Sequence, residues 1–113
     1  MPKVFLATKR VQQGGLRSVR IRYYLDPHTR RPHIYNHDVL EIEVEQVVRR
    51  PGEDRPGSRG SRVAIGRTEA GRYLRVIYVP DPEPDSLFVI TDYELRGKPL
   101  AAYRQRRRRK GIR

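Results

Sequence analysis

The 113-residue chain contains no cysteine, which excludes disulfides and thiolate metal sites and suits a reducing compartment. It has no apolar run near the roughly 20 residues a membrane-spanning helix needs. The opening MPKVFLATKR lacks the apolar core of a signal peptide. The expectation is a soluble, cytoplasmic protein with no membrane partner. Acidic residues are scarce beside basic ones. Thirteen Asp and Glu stand against 25 Lys and Arg, giving a formal net charge of +12 and a pI near 10.8. That imbalance favours a polyanionic partner, nucleic acid before an acidic protein or an anionic membrane.

Several chemistries lack their residues. Gly66-Arg67-Thr68-Glu69-Ala70-Gly71-Arg72 superficially resembles a phosphate loop, but the Gly-Lys-Ser/Thr ending is missing and the segment lies between two strand-like runs. Ser18, Ser58, Ser61 and Ser86 read as turn or strand-edge residues, so no Ser/His/Asp nucleophile is assembled. His28, His33 and His37 with Asp26 are the nearest thing to a ligand set. His33 and His37 straddle an expected strand-to-helix junction, where a four-residue spacing does not put both rings on one face. No second cluster completes the set, so neither metal nor cofactor is expected.

What is present is a compact set of strand signals. With 36% hydrophobic residues, one domain is the limit, and its core must come from concentrated runs. Three such runs fall between Arg62 and Tyr93: RVAIGRT, RYLRVIYV and LFVITDY. They are rich in β-branched and aromatic residues and bounded by turn residues. Gly71 marks a tight hairpin between the first two, and Leu87-Phe88-Val89-Ile90, apolar on both faces, predicts a central strand. Upstream, Ser18–Tyr23 alternates as a half-buried strand does, Asp26-Pro27 starts a turn, and His33-Ile34-Tyr35 reads as a second short strand. A helix is expected from about Asp38 to Arg50, capped by Asn36 or Asp38 and stopped by Pro51-Gly52. Its carboxylates precede its arginines, the order that suits the helix dipole. Residues 52–61 read as a polar loop, Pro80–Asp85 as an acidic loop kept extended by proline, and Gly97-Lys98-Pro99 as the opening of a last helix.

The hairpin register decides where the cations go. A three-residue loop, 69–71, pairs Thr68 with Arg72 and sets Arg62 opposite Tyr78. A four-residue loop, 68–71, places Val63 and Ile65 on one face with Leu74 and Val76. The second separates apolar from charged residues better and is the expected register. It puts Arg62 and Arg75 together on an outer face, with Arg67 beside Arg72. The domain plan is an N-terminal extension (1–18), where Val4-Phe5-Leu6 as an edge strand and poor order are equal alternatives, then a body (19–104) and a basic tail (105–113). Seven of the 25 basic residues lie in 104–113, so the body remains basic without them.

A cationic sheet carrying tyrosines suits RNA chemistry. Cleavage by protein groups alone requires activation of a 2′-hydroxyl, protonation of the leaving oxygen and positive charge around the phosphorane. Arginine supplies the charge through bidentate phosphate contacts, and histidine or tyrosine moves the protons. The candidate catalytic set is His37, Arg62, Arg75 and Tyr93. Arg67, Arg72, Arg104, Arg106, Arg107, Arg108, Arg109 and Lys110 are candidates for holding the backbone of RNA.

Leu25-Asp26-Pro27, His37 and the Val39–Pro51 stretch resemble the opening of BrnT-type toxins. Arg62-Val63-Ala64-Ile65-Gly66, Gly71-Arg72-Tyr73-Leu74 and Val76-Ile77-Tyr78 resemble the sheet of that family, and Tyr103 falls where its last helix carries a tyrosine. The closing Ile90-Thr91-Asp92-Tyr93 is similar to small RelE-like domains. The resemblance spans residues 19–104. It implies a RelE-like α+β fold, with a helix packed on an antiparallel sheet and a basic C-terminal helix or tail. It also implies a ribonuclease of the toxin–antitoxin type with an antitoxin protein as partner. His37 and Arg62 match the family pattern. Tyr93 stands where BrnT-type proteins carry an arginine, and Asn36 where a basic residue often precedes the histidine. The alternatives to an endoribonuclease are a non-catalytic nucleic-acid-binding module and a basic subunit docking on an acidic protein.

Overall fold

The structure, a computed structural model, describes residues 7–13 and 17–110. Val4-Phe5-Leu6 lies outside the described residues. The fold is α+β. Six strands, β1 (Ala7–Gln13), β2 (Arg17–Tyr23), β3 (Glu53–Pro56), β4 (Arg62–Arg67), β5 (Tyr73–Pro80) and β6 (Ser86–Glu94), form one sheet in the order β1-β2-β6-β5-β4-β3. A 3-10 helix, His33–His37, and two α-helices, α1 (Glu41–Arg49) and α2 (Gly97–Arg109), complete it. The expected antiparallel sheet is mixed: β2 runs parallel to β6, because the connection between them crosses over through the 3-10 helix, α1 and the β3–β5 meander. β6 is internal, as its apolar run requires.

Both faces of the sheet are buried in part. On one face Val19, Ile21, Tyr23, Leu74, Val76, Tyr78 and Val89 meet Ile34 and Val39, and Val44 and Val47 of α1. On the other, Val63 and Ile65 pack under Leu95 and Tyr103 of the C-terminal segment. The α2 helix comes close because Gly52 has no side chain; a Cβ there would overlap the Tyr103 hydroxyl.

The hairpin takes the three-residue loop, not the four-residue one. Thr68 N–H donates to Arg72 O at 2.7 Å, Gly71 adopts φ +94°, and Arg62 faces Tyr78 across the strands. The expected register presumed a single buried face. With two buried faces, Ala64, Leu74 and Val76 take one and Val63, Ile65 and Ile77 the other, and nothing is gained by collecting all apolar residues on one side.

Other expectations shift locally. His33-Ile34-Tyr35 belongs to the 3-10 helix, and Asp38 ends it in the left-handed region at φ 59°. The α1 helix therefore starts later, at Glu41. Its N-cap is Leu40, whose N–H donates to the Glu43 carboxylate, rather than Asn36 or Asp38. Within the expected 52–61 loop, Glu53–Pro56 forms edge strand β3. The acidic loop closes instead of extending, with Asp81 N–H donating to Ser86 O at 2.9 Å. Among the described residues no helix is long and apolar enough to cross a membrane.

Candidate nucleic-acid and proton-transfer site

β2 leaves the sheet after Tyr23, which pairs with Val89, so the second half of β6 has no β2 neighbour. The chain from Tyr24 to His37 fills that position. Its turn is built on Asp26: Oδ1 accepts the N–H groups of His28 (2.7 Å) and Thr29 (3.2 Å), and Oδ2 accepts Asn36 Nδ2 (2.8 Å). The hydrogen bond from Asn36, then that from His28, holds the Asp26 carboxyl below its ordinary range. The 3-10 helix that follows lies against β6 and delivers two imidazoles to its edge.

The result is a ladder of edge-to-face rings. Tyr24 and His33 lie 5.9 Å apart between centroids, His33 and His37 5.3 Å, and His37 and Tyr93 6.2 Å. Beyond Tyr93, the Arg75 guanidinium lies 5.9 Å from the tyrosine ring centre, and Arg75 and Tyr93 are direct cross-strand partners. Arg75 Nε is buried without a hydrogen-bond partner among the described residues, and Tyr93 is 38% exposed. Three of the four expected catalytic residues thus converge. His33 joins them, contrary to the expectation that its ring and that of His37 would point apart. The four-residue spacing brings the two rings together because a 3-10 helix, and not a strand-to-helix junction, spans His33–His37.

Arg62 does not join them. The observed register puts it on the opposite face from Arg75, where its Nε donates to Asp54 at 2.9 Å and Tyr78 donates to the same carboxylate at 2.7 Å. The Asp54 hydrogen bond raises the Arg62 pKa. Burial, then the bond to Asp54, pushes the Tyr78 hydroxyl up to about 12. Arg72 is likewise committed, donating to Glu43 (2.9 Å), Glu94 (3.3 Å) and the Asp38 carbonyl (2.9 Å). Burial opposes its charge, but the two carboxylates outweigh burial and raise its pKa. Arg106 binds Glu53 at 2.5 Å and 3.0 Å; that bond holds the Glu53 carboxyl below its usual range.

Six other arginines line two adjoining clefts of about 460 and 440 Å³. Arg49 and Arg50 come from the end of α1, Arg67 from the end of β4, and Arg104, Arg107 and Arg108 from α2. Arg104 lies over the Tyr73 ring at 5.1 Å, and Arg107 donates to the Gly52 carbonyl. Arg109 and Lys110 are exposed at the end of α2. Tyr73 and Arg75 alternate with Leu74 on β5 and so share a face, about 7 Å apart along the strand. The cleft that Tyr73 lines and the Arg75 end of the ring ladder therefore lie on one side of the sheet, while the Arg49 cleft reaches toward α1 on the other. Among the described residues no group of three or more His, Asp or Glu side chains is placed to hold a metal.

The chain matches no protein-family model, no curated protein and no solved structure.

Proposed function

We propose that the protein is a cytoplasmic RNA-binding endoribonuclease of the toxin type, working with protein groups alone. The observation that carries this reading is the convergence of Arg75, Tyr93 and His37, from three separate elements, on the side of the sheet where Tyr73 lines a cleft with five arginines. The cleft holds backbone phosphates of RNA, with Tyr73 beside them as a stacking surface. His37 accepts the proton of a 2′-hydroxyl, and the freed O2′ electron pair bonds to phosphorus. The P–O5′ bond breaks, and O5′ takes a proton from the Tyr93 hydroxyl, which is restored from His37. Arg75 offsets the charge of the phosphorane. A phenol is too weak a base at neutral pH but can protonate an alkoxide, which is why the tyrosine takes the acid role. The products are a 2′,3′-cyclic phosphate and a 5′-hydroxyl. The BrnT-like and RelE-like motifs support the same reading and imply an antitoxin protein as partner.

The test is incubation of purified protein with RNA in EDTA, followed by product analysis. Cleavage is expected, and His37→Ala should slow it roughly 100-fold or more, the usual scale for losing a general base. Full activity in His37→Ala would refute the assignment. Salt-sensitive RNA binding without any products would favour the non-catalytic module, in which the same arginines serve for affinity alone.

A further inference from the structure

The two imidazoles lie 5.3 Å apart but have different surroundings. Asp26 is a carboxylate and can only accept, so the end of the Asn36 amide that faces it at 2.8 Å is the nitrogen. That same Nδ2 lies 3.4 Å from His33 Nδ1. An amide nitrogen only donates, so His33 Nδ1 must offer a lone pair, and the ring hydrogen belongs on Nε2. A hydrogen on Nδ1 would set N–H against N–H. His37 has no such partner: its ring contacts are His33 and Tyr93, and no hydrogen bond engages its nitrogens among the described residues.

We propose that Asp26 and Asn36 are positioning residues that lock His33 in its Nε2–H tautomer, which commits the lone pair of His33 and leaves His37 as the imidazole that accepts a proton. Charged and titratable groups near the pair include Asp26 of the turn, Tyr24 at the exit of β2, Tyr93 on β6 and Arg75 beyond it. Of these, Asp26 is joined to an imidazole through hydrogen bonds, by way of Asn36. The arrangement gives the Asp-Pro turn a purpose: it orients the amide that sorts the two histidines. What the proton is used for rests on the RNA-cleavage reading; the tautomer does not.

The experiment is long-range ¹H–¹⁵N NMR of the full chain labelled at histidine, near neutral pH. His33 is expected to show a bare Nδ1 and a protonated Nε2. Asn36→Ala should release this bias and populate both tautomers. Asp26→Asn keeps an acceptor for the His28 and Thr29 amides but turns an NH2 toward Asn36, so the Asn36 amide should flip and its oxygen should shift His33 toward the Nδ1–H tautomer with the turn intact. A protonated His33 Nδ1 in the wild type, or one tautomer pattern shared by all three proteins, would overturn the proposal. Cleavage assays form a separate arm: the locked tautomer in a protein that leaves RNA whole ends the ribonuclease reading and not this one. In an active protein, Asn36→Ala should lower kcat several-fold with KM unchanged; a change confined to KM would contradict a positioning role.

Discussion

Two arginines with the same composition-level credentials have opposite fates at the residue scale. Arg75 presents its guanidinium to Tyr93, while Arg62 is held by Asp54 beside Tyr78. A single residue of hairpin loop separates these outcomes, because a one-residue slip sends every side chain to the other face. Asp92, one residue before Tyr93, is a second case. It is fully buried on the α1 face, and neither carboxylate oxygen has a hydrogen-bond partner among the described residues. Desolvation, with Glu43 adding to it and Arg72 opposing, raises its pKa to about 7 from 3.8. A carboxyl raised in the folded state favours folding most at low pH, and that contribution is lost as pH rises through about 7. At roughly 1.4 kcal/mol per pH unit, stability should fall by about 2–3 kcal/mol between about pH 5 and about pH 8. Urea denaturation at both values should show this loss in the wild type and a flatter profile in Asp92→Asn. Equal slopes would mean that Asp92 is not the titrating group.

At the scale of elements, α2 turns a run of arginines into an ordered surface. Its anchor is Tyr103, which packs against Val63, Ile65 and Leu95 and over Gly52. Arg106 and Arg107 tie it to Glu53 and to the Gly52 carbonyl, and Arg107 lines the cleft with Arg104 and Arg108. Tyr103→Ala should cost about 3 kcal/mol, the scale for deleting a buried aromatic ring, and should weaken RNA binding by undocking the helix. Denaturation with parallel binding titrations would check it; unchanged binding at reduced stability would place the RNA elsewhere. The sequence displayed this helix, the β4 and β5 runs and the buried β6 through β-branched content and turn residues. It concealed β3, because Glu53-Asp54-Arg55-Pro56 is short, charged and ends in proline, the composition of a protected edge rather than of a core strand. The 3-10 helix was hidden similarly. Five residues carry too little periodicity to distinguish it from a strand, and with it went the meeting of His33 and His37.

For the whole molecule, charge was the most legible property and the least specific. A net charge of +12 is compatible with many polyanions and selects none, whereas the fold decides which cations are left free for one. Arg62, Arg72 and Arg106 are neutralised by carboxylates, whereas six arginines from α1, β4 and α2 share the cleft region. For single-stranded RNA held by that set, log K against log salt should have a slope between about −2 and −4, on the basis of roughly −0.7 per phosphate neutralised. Fluorescence anisotropy over a salt series measures it, and Arg67→Ala should make the slope shallower by nearly one unit. A slope near zero would exclude the cleft as a phosphate track.

The central claim is that the working face carries Arg75, Tyr93 and His37, and that Arg62 belongs to the other. The most direct measurement compares single-turnover RNA cleavage by Arg75→Ala and Arg62→Ala in EDTA, with folding of both verified by circular dichroism. Losing charge stabilisation of the phosphorane should slow Arg75→Ala roughly 100-fold or more, while Arg62→Ala should stay within about threefold of the wild type. A large loss in Arg62→Ala beside an active Arg75→Ala would contradict the account and move the chemistry to the other side of the sheet.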